Sequence, residues 1–157
     1  MRYVALIRGV GPGNPNMTGE KLKSAFEALG FKNVHTVIAS GNVVFASHLK
    51  NDEALEKKIE HGLEAKLKFS RAVIVRSHDE LQKLAKKDPF KGVKDEKPNY
   101  LVVTFFKHPR KELCTVVDMR KTDGPRMMQS LEREHGKAIT TRTWKTVNRI
   151  LAKMEAI

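Results

Sequence analysis

Cysteine is nearly absent from this chain: Cys114 is the only one in 157 residues. No disulfide can close within the molecule, which points to a reducing compartment. Long apolar runs are missing as well. The apolar start, Tyr3–Ile7, is cut short by Arg8, too early for a secretory signal. No stretch approaches the ~18 apolar residues that a membrane span requires, so a cytoplasmic chain with no membrane partner is expected. Aromatic residues make up only 6%, and they do not interleave as in an RNA-recognition sheet. Acidic residues are outnumbered. Thirty Lys and Arg against eighteen Asp and Glu give a net charge of +12, which favours anionic partners, from small phosphates to nucleic acid. The excess is spread along the chain and forms no basic tail. Charge alone therefore predicts only a non-specific nucleic-acid contact.

What is present is a regular alternation of strand and helix patterns. Residues 2–8 read as a strand that is apolar on both faces. A glycine- and proline-rich loop follows, then a helix capped by Thr18, with Met17 and Leu22 spaced as a hydrophobic staple. A hairpin is predicted over Val34–Ala46 with a two-residue Gly41-Asn42 turn, which places Ile38 opposite Phe45 and His35 opposite His48. A second helix begins near Asn51 and carries Leu55, Ile59, Leu63 and Leu67 on one stripe. The strand Ala72–Arg76 closes a β-α-β-β-α-β series, the order of a ferredoxin-like unit.

Ser77 and Glu80 form a capping box for a third helix. A strand at 100–106, a further strand near 113–119, a short helix with Met127 and Met128, and a final helix from Thr143 complete the chain. Taken with Ala72–Arg76, the second half again reads β-α-β-β-α. The expected fold is therefore α+β: two interlocked ferredoxin-like units sharing one core, in a single domain with halves 1–76 and 77–157. Ile7, Phe26, Ile38, Phe45, Ile74, Phe105 and Trp144 are expected to be largely buried. Strands that are apolar on both faces must be covered on both sides, which argues against an open nucleic-acid-binding sheet.

Topology then selects a site. In such a unit the first two strands run parallel, so their carboxyl ends share one sheet edge. That edge gathers Arg8, Gly9, Gly11, Gly13, Asn14 and Asn16 from the first loop with Ser40, Gly41 and Asn42 from the hairpin. Glycines allow close backbone approach, and a helix start beside a permanent arginine charge suits a phosphate or carboxylate. The plainer alternative is that Arg8 braces its own loop through carbonyls or a carboxylate. Thr140-Thr141-Arg142-Thr143-Trp144-Lys145 forms a second candidate. Its threonines read most simply as helix caps, with Arg142 and Lys145 joining the pocket if the last helix packs near the first loop.

Several chemistries find no support in the spacing. The six histidines lack metal-ligand intervals, and a His35/His48 pair has no nameable third or fourth ligand. No metal and no cofactor is therefore expected. No carboxylate pair, triad or general base can be assembled, so no catalytic residue is assigned.

Separated motifs give the chain a family likeness. Ala5-Leu6-Ile7-Arg8-Gly9-Val10, Asn16-Met17, Gly30-Phe31 and Ser40-Gly41-Asn42-Val43-Val44-Phe45 resemble the bacterial domain of unknown function 1697 family. Val103-Thr104-Phe105 and Thr140–Val147 extend the resemblance. It implies a compact fold related to tandem ferredoxin-like units and brings no reaction. The expected function is binding of a small anionic molecule at the first strand-helix loop. The alternatives are a nucleic-acid or ribosome-associated protein and an enzyme acting on a phosphorylated metabolite.

Overall fold

A computed structural model describes residues 1–10, 17–38, 41–121 and 124–157. The elements run β1 (Arg2–Ile7), α1 (Gly19–Ala28), β2 (Lys32–Thr36), β3 (Asn42–Ala46), α2 (Asp52–Leu67) and β4 (Val73–Ser77). They continue with α3 (His78–Lys86), β5 (Asn99–Phe106), β6 (Lys111–Asp118), α4 (Gly124–His135), β7 (Ile139–Thr143) and α5 (Trp144–Ala156). The fold is α+β with two antiparallel sheets, ordered β2-β3-β1-β4 and β6-β5-β7.

The alternation along β1 decides the layering. Tyr3, Ala5 and Ile7 face one core, with Phe26 of α1 and Leu55, Ile59 and Leu63 of α2. Val4 and Leu6 face the other, with Leu81 of α3, Leu101, Val103 and Phe105 of β5, and Ile150 and Met154 of α5. The first sheet is thus buried on both faces, as its unbroken apolar pattern requires. Helix starts follow local chemistry: the Thr18 and Asn51 side chains accept amides three residues on. Ser77 and Glu80 make both bonds of the capping box.

β4 is an edge strand, and its outward amides are not left open. Glu56 accepts from the Val75 N–H at 2.9 Å and Glu60 from the Val73 N–H at 3.3 Å. Such capping blocks edge-to-edge pairing with another chain.

Four sequence expectations need correction. The hairpin does not turn at Gly41-Asn42. Asn42 is a strand residue, and His35 pairs with Val44 and Thr36 with Val43. His35 therefore does not oppose His48, and Phe45 pairs with Tyr3 rather than Ile38. The loop closes instead between Val37 and Asn42, whose side-chain amide donates to the Val37 carbonyl at 3.0 Å. Ile38 is accordingly 45% exposed, with φ at +60°. Trp144 is half-buried, set edge-on against Phe90 at 5.3 Å. The fourth correction is that Thr140–Arg142 are more than a prelude to the last helix. They pair with β5 as β7, and β-branched threonines suit a strand. Thr143 alone caps α5, accepting from the Thr146 amide.

Candidate functional site

The second sheet has an outer face away from the shared core. In its register Val102 lies opposite Thr143 and Thr104 opposite Thr141, while Tyr100 lies opposite Val117. These directly opposed residues share a face. Between that face and α4 lies a cavity of about 570 Å³, within the range of small-molecule sites. Tyr100, Val102, Val117, Met119, Met127 and Met128 give it apolar walls, and Thr140–Thr143 line its β7 side. Arg8 and Gly9, just beyond β1, close one end.

Two arginines meet the cavity there. Arg142 is buried, and its five N–H donors are all engaged. Nε donates to Asn42 Oδ1 at 2.6 Å, and Nη1 to Thr140 Oγ1 at 2.5 Å and the Thr141 carbonyl at 3.0 Å. Nη2 donates to the carbonyls of Ile7 and Gly41 at 3.1 and 3.4 Å. Every acceptor is neutral. Burial alone pushes its pKa down to about 10, so the group stays cationic at neutral pH.

Arg8 is half-buried. Its Nη1 donates to the carbonyls of Ile139 at 2.9 Å and Lys137 at 3.4 Å, and its Nη2 pairs with Glu132 of α4. Burial, with the nearby charge of Arg71, lowers its pKa. Among the described residues, Glu132 is the one carboxylate paired with either arginine.

The residues singled out from sequence are placed as follows. Arg8, Gly9 and Arg142 line the cavity. Gly41 and Asn42 lie behind it, buried, and hold Arg142. Gly41 is required there: with φ at +75°, an added Cβ would stand 2.5 Å from the Ile7 carbonyl oxygen. Gly11, Gly13, Asn14, Asn16 and Ser40 lie outside the described residues. Lys145 is exposed and does not line the cavity.

Sequence reasoning missed the apolar walls. Their signal was faint: Tyr100 and Val102 share a parity on one strand, and adjacent methionines read as ordinary helix packing. Among the described residues, no group of three or more His, Cys, Asp or Glu side chains is placed to hold a metal ion. No helix among them is long and apolar enough to cross a membrane.

Residues 1–134 match the family described as protein of unknown function (DUF1697). The chain belongs to that family. β7 and α5 lie beyond the matched span, so the DUF1697 match covers Arg8 and the methionines but not Arg142. The structure is similar to a conserved bacterial protein, SP0830, from Streptococcus pneumoniae, with a TM-score of 0.76 and 17% identity. The similarity covers 98% of each chain, so the fold is shared through β7 and α5. Comparison with curated proteins returns no match.

Proposed function

We propose that this DUF1697 protein binds a small anionic molecule, with a carboxylate or phosphate seated at Arg8 and the rest in the cavity beneath α4. One observation carries the reading. Two arginines line the cavity, and among the described residues only Glu132 pairs with either of them. Arg142 contributes its field while its donors stay engaged. Arg8 supplies direct contacts, because its Nε has no partner among the described residues. Glu132 holds Nη2 and two carbonyls hold Nη1, the bracing expected of Arg8 as the plainer alternative, so an incoming anion meets Nε or displaces Glu132. Two interlocked ferredoxin-like units remain the architectural reading: the element order β-α-β-β-α-β occurs twice with β4 common to both runs. The sheet order β2-β3-β1-β4 supports the first unit, and the second departs from it because β5 pairs directly with β7 and β4 stays in the first sheet.

The test is calorimetric titration of inorganic phosphate, nucleotides and simple carboxylates into wild type and Arg8→Ala, both below their melting temperatures. A charge-assisted hydrogen bond is worth roughly 1.5–3 kcal/mol, so the variant should bind about ten- to a hundredfold more weakly. Equal affinity in the two proteins contradicts the site. A single pocket also gives a shallow salt dependence; a steep one would mark a polynucleotide partner instead.

A further inference from the structure

Resting on the anion site just proposed, we infer the class of its ligand: a monocarboxylate carried on an apolar, uncharged body. The cavity has polar side chains in its walls, but the threonine hydroxyls and Arg142 already have partners, which leaves the Arg8 Nε and the Tyr100 hydroxyl. Thr141 Oγ1 pairs with Thr104 Oγ1 at 2.9 Å and with Met128 Sδ at 3.3 Å. Thr143 Oγ1 donates to Thr146 Oγ1 at 3.0 Å and accepts from its backbone amide. Thr140 Oγ1 and the whole Arg142 guanidinium are bonded to one another or to backbone and Asn42 oxygens. A sugar, a nucleoside or a polyol entering here would give up its water hydrogen bonds and find few replacements.

What the walls still offer is apolar surface, one region of positive charge and the single hydroxyl of Tyr100. Val102 and Val117 are buried, and Tyr100 and Met119 are exposed at the rim. Met127 and Met128 come from α4, and methionine side chains adapt to bodies of different shape. The polar demand of the ligand is therefore concentrated in one anionic group, and the remainder is met by burial of hydrocarbon.

The experiment titrates acetate, butyrate, hexanoate and octanoate, with octanol as the uncharged control and inorganic phosphate as the bodiless anion, into the full chain. Each buried methylene adds a nearly constant increment, so affinity should rise roughly tenfold for every two methylenes added. Octanol should bind at least tenfold more weakly than octanoate. Met119→Glu alters a wall residue that is already 45% exposed, so the fold should be retained. It should weaken octanoate about tenfold while leaving acetate unchanged. A flat series in which acetate, phosphate and octanoate bind alike overturns the apolar body but leaves the anion site standing. A rising series matched by octanol overturns the anion site, and the monocarboxylate with it. No binding by any probe overturns both.

Discussion

Two arginines lie buried, Arg76 on the edge strand β4 and Arg142 on β7 against the ends of β1 and β3, and their surroundings differ in sign. Arg76, on β4, pairs through Nε with Glu112 at 2.9 Å and donates to the carbonyls of Val75, Phe106 and Lys111. It stands in a neighbourhood of alternating charge. Arg110 nearby is bound by both oxygens of Glu80, at 2.7 and 2.9 Å, and by Asp52 at 2.8 Å, with Glu56 capping the same strand edge. Arg142, on β7, makes five hydrogen bonds against four for Arg76, and none of them goes to an acid among the described residues. The first arrangement is closed: its charges answer one another, and it ties the β5-β6 hairpin to the edge of β4. The second leaves positive charge over beside a cavity. Burial and hydrogen-bond number thus do not separate a structural arginine from one that shapes a binding site; the sign of its surroundings does.

The largest effect should come from breaking the closed side. Arg76→Met strands Glu112 and takes a donor from the Phe106 and Lys111 carbonyls, while the Val75 carbonyl keeps Arg110 Nη2 at 2.5 Å; loss of one partner of a buried pair costs about 3–5 kcal/mol. Urea denaturation should show this loss, with part of it recovered when Glu112→Gln is added. Full additivity of the two changes would mean that the pair is not coupled. Next comes Gly41→Ala, which forces a Cβ against the Ile7 carbonyl in left-handed backbone and should cost roughly 2–3 kcal/mol. It disturbs two of Arg142's acceptors at once.

Arg142→Met should be milder, at roughly 1–3 kcal/mol, because it strands no charge and removes a desolvated one. The Gly41 carbonyl also keeps the Ile7 amide at 2.8 Å. If Arg142→Met proves as costly as Arg76→Met, the contrast between the two sites fails. A gain is expected at Ile38, in the loop that closes against Asn42. A β-branched residue at positive φ is disfavoured, and Ile38→Asn should raise stability by about 1–2 kcal/mol in the same assay.

The acid-rich side also makes a prediction of sign. Burial raises the Glu56 pKa above its ordinary value of 4.5, despite the Val75 amide and neighbouring cations. Protonation therefore favours the folded form, and wild type should gain stability relative to Glu56→Gln as pH falls from neutral toward 4.5. Burial also raises Glu80, but the hydrogen bonds from Arg110 and the Ser77 amide outweigh it and hold Glu80 below 4.5. Its contribution is present above 4.5 and lost as pH falls through the depressed value. Denaturation curves against pH for the two Gln variants should diverge from wild type with opposite slopes.

Much of the scaffold was legible from local chemistry. Thr18, Asn51 and the Ser77/Glu80 box mark helix starts because their partners lie three residues away. The double-sided apolar strand at 2–8 announces a sheet covered on both faces. The site was legible only where one residue type carries the role alone: Arg8, Gly41 and Arg142 stand out as single residues. What escaped depends on contacts distant in sequence. Asn42 is drawn into β3 while its Oδ1 binds a guanidinium 100 residues away, which no hairpin pattern contains. β7 went unread because three threonines before a helix satisfy the capping pattern equally well. The cavity walls come from β5, β6 and α4, and nothing local links Tyr100 to Met128.

The most direct test is to follow the Nε–Hε resonances of Arg8, Arg76 and Arg142 in protein labelled with ¹⁵N-arginine while octanoate is added at constant ionic strength. Arg8 and Arg142 should shift saturably with one common dissociation constant, and Arg76, closed among its own acids, should stay in place. If all three remain still, or all three drift together without saturation, the cavity beneath α4 is not an anion site.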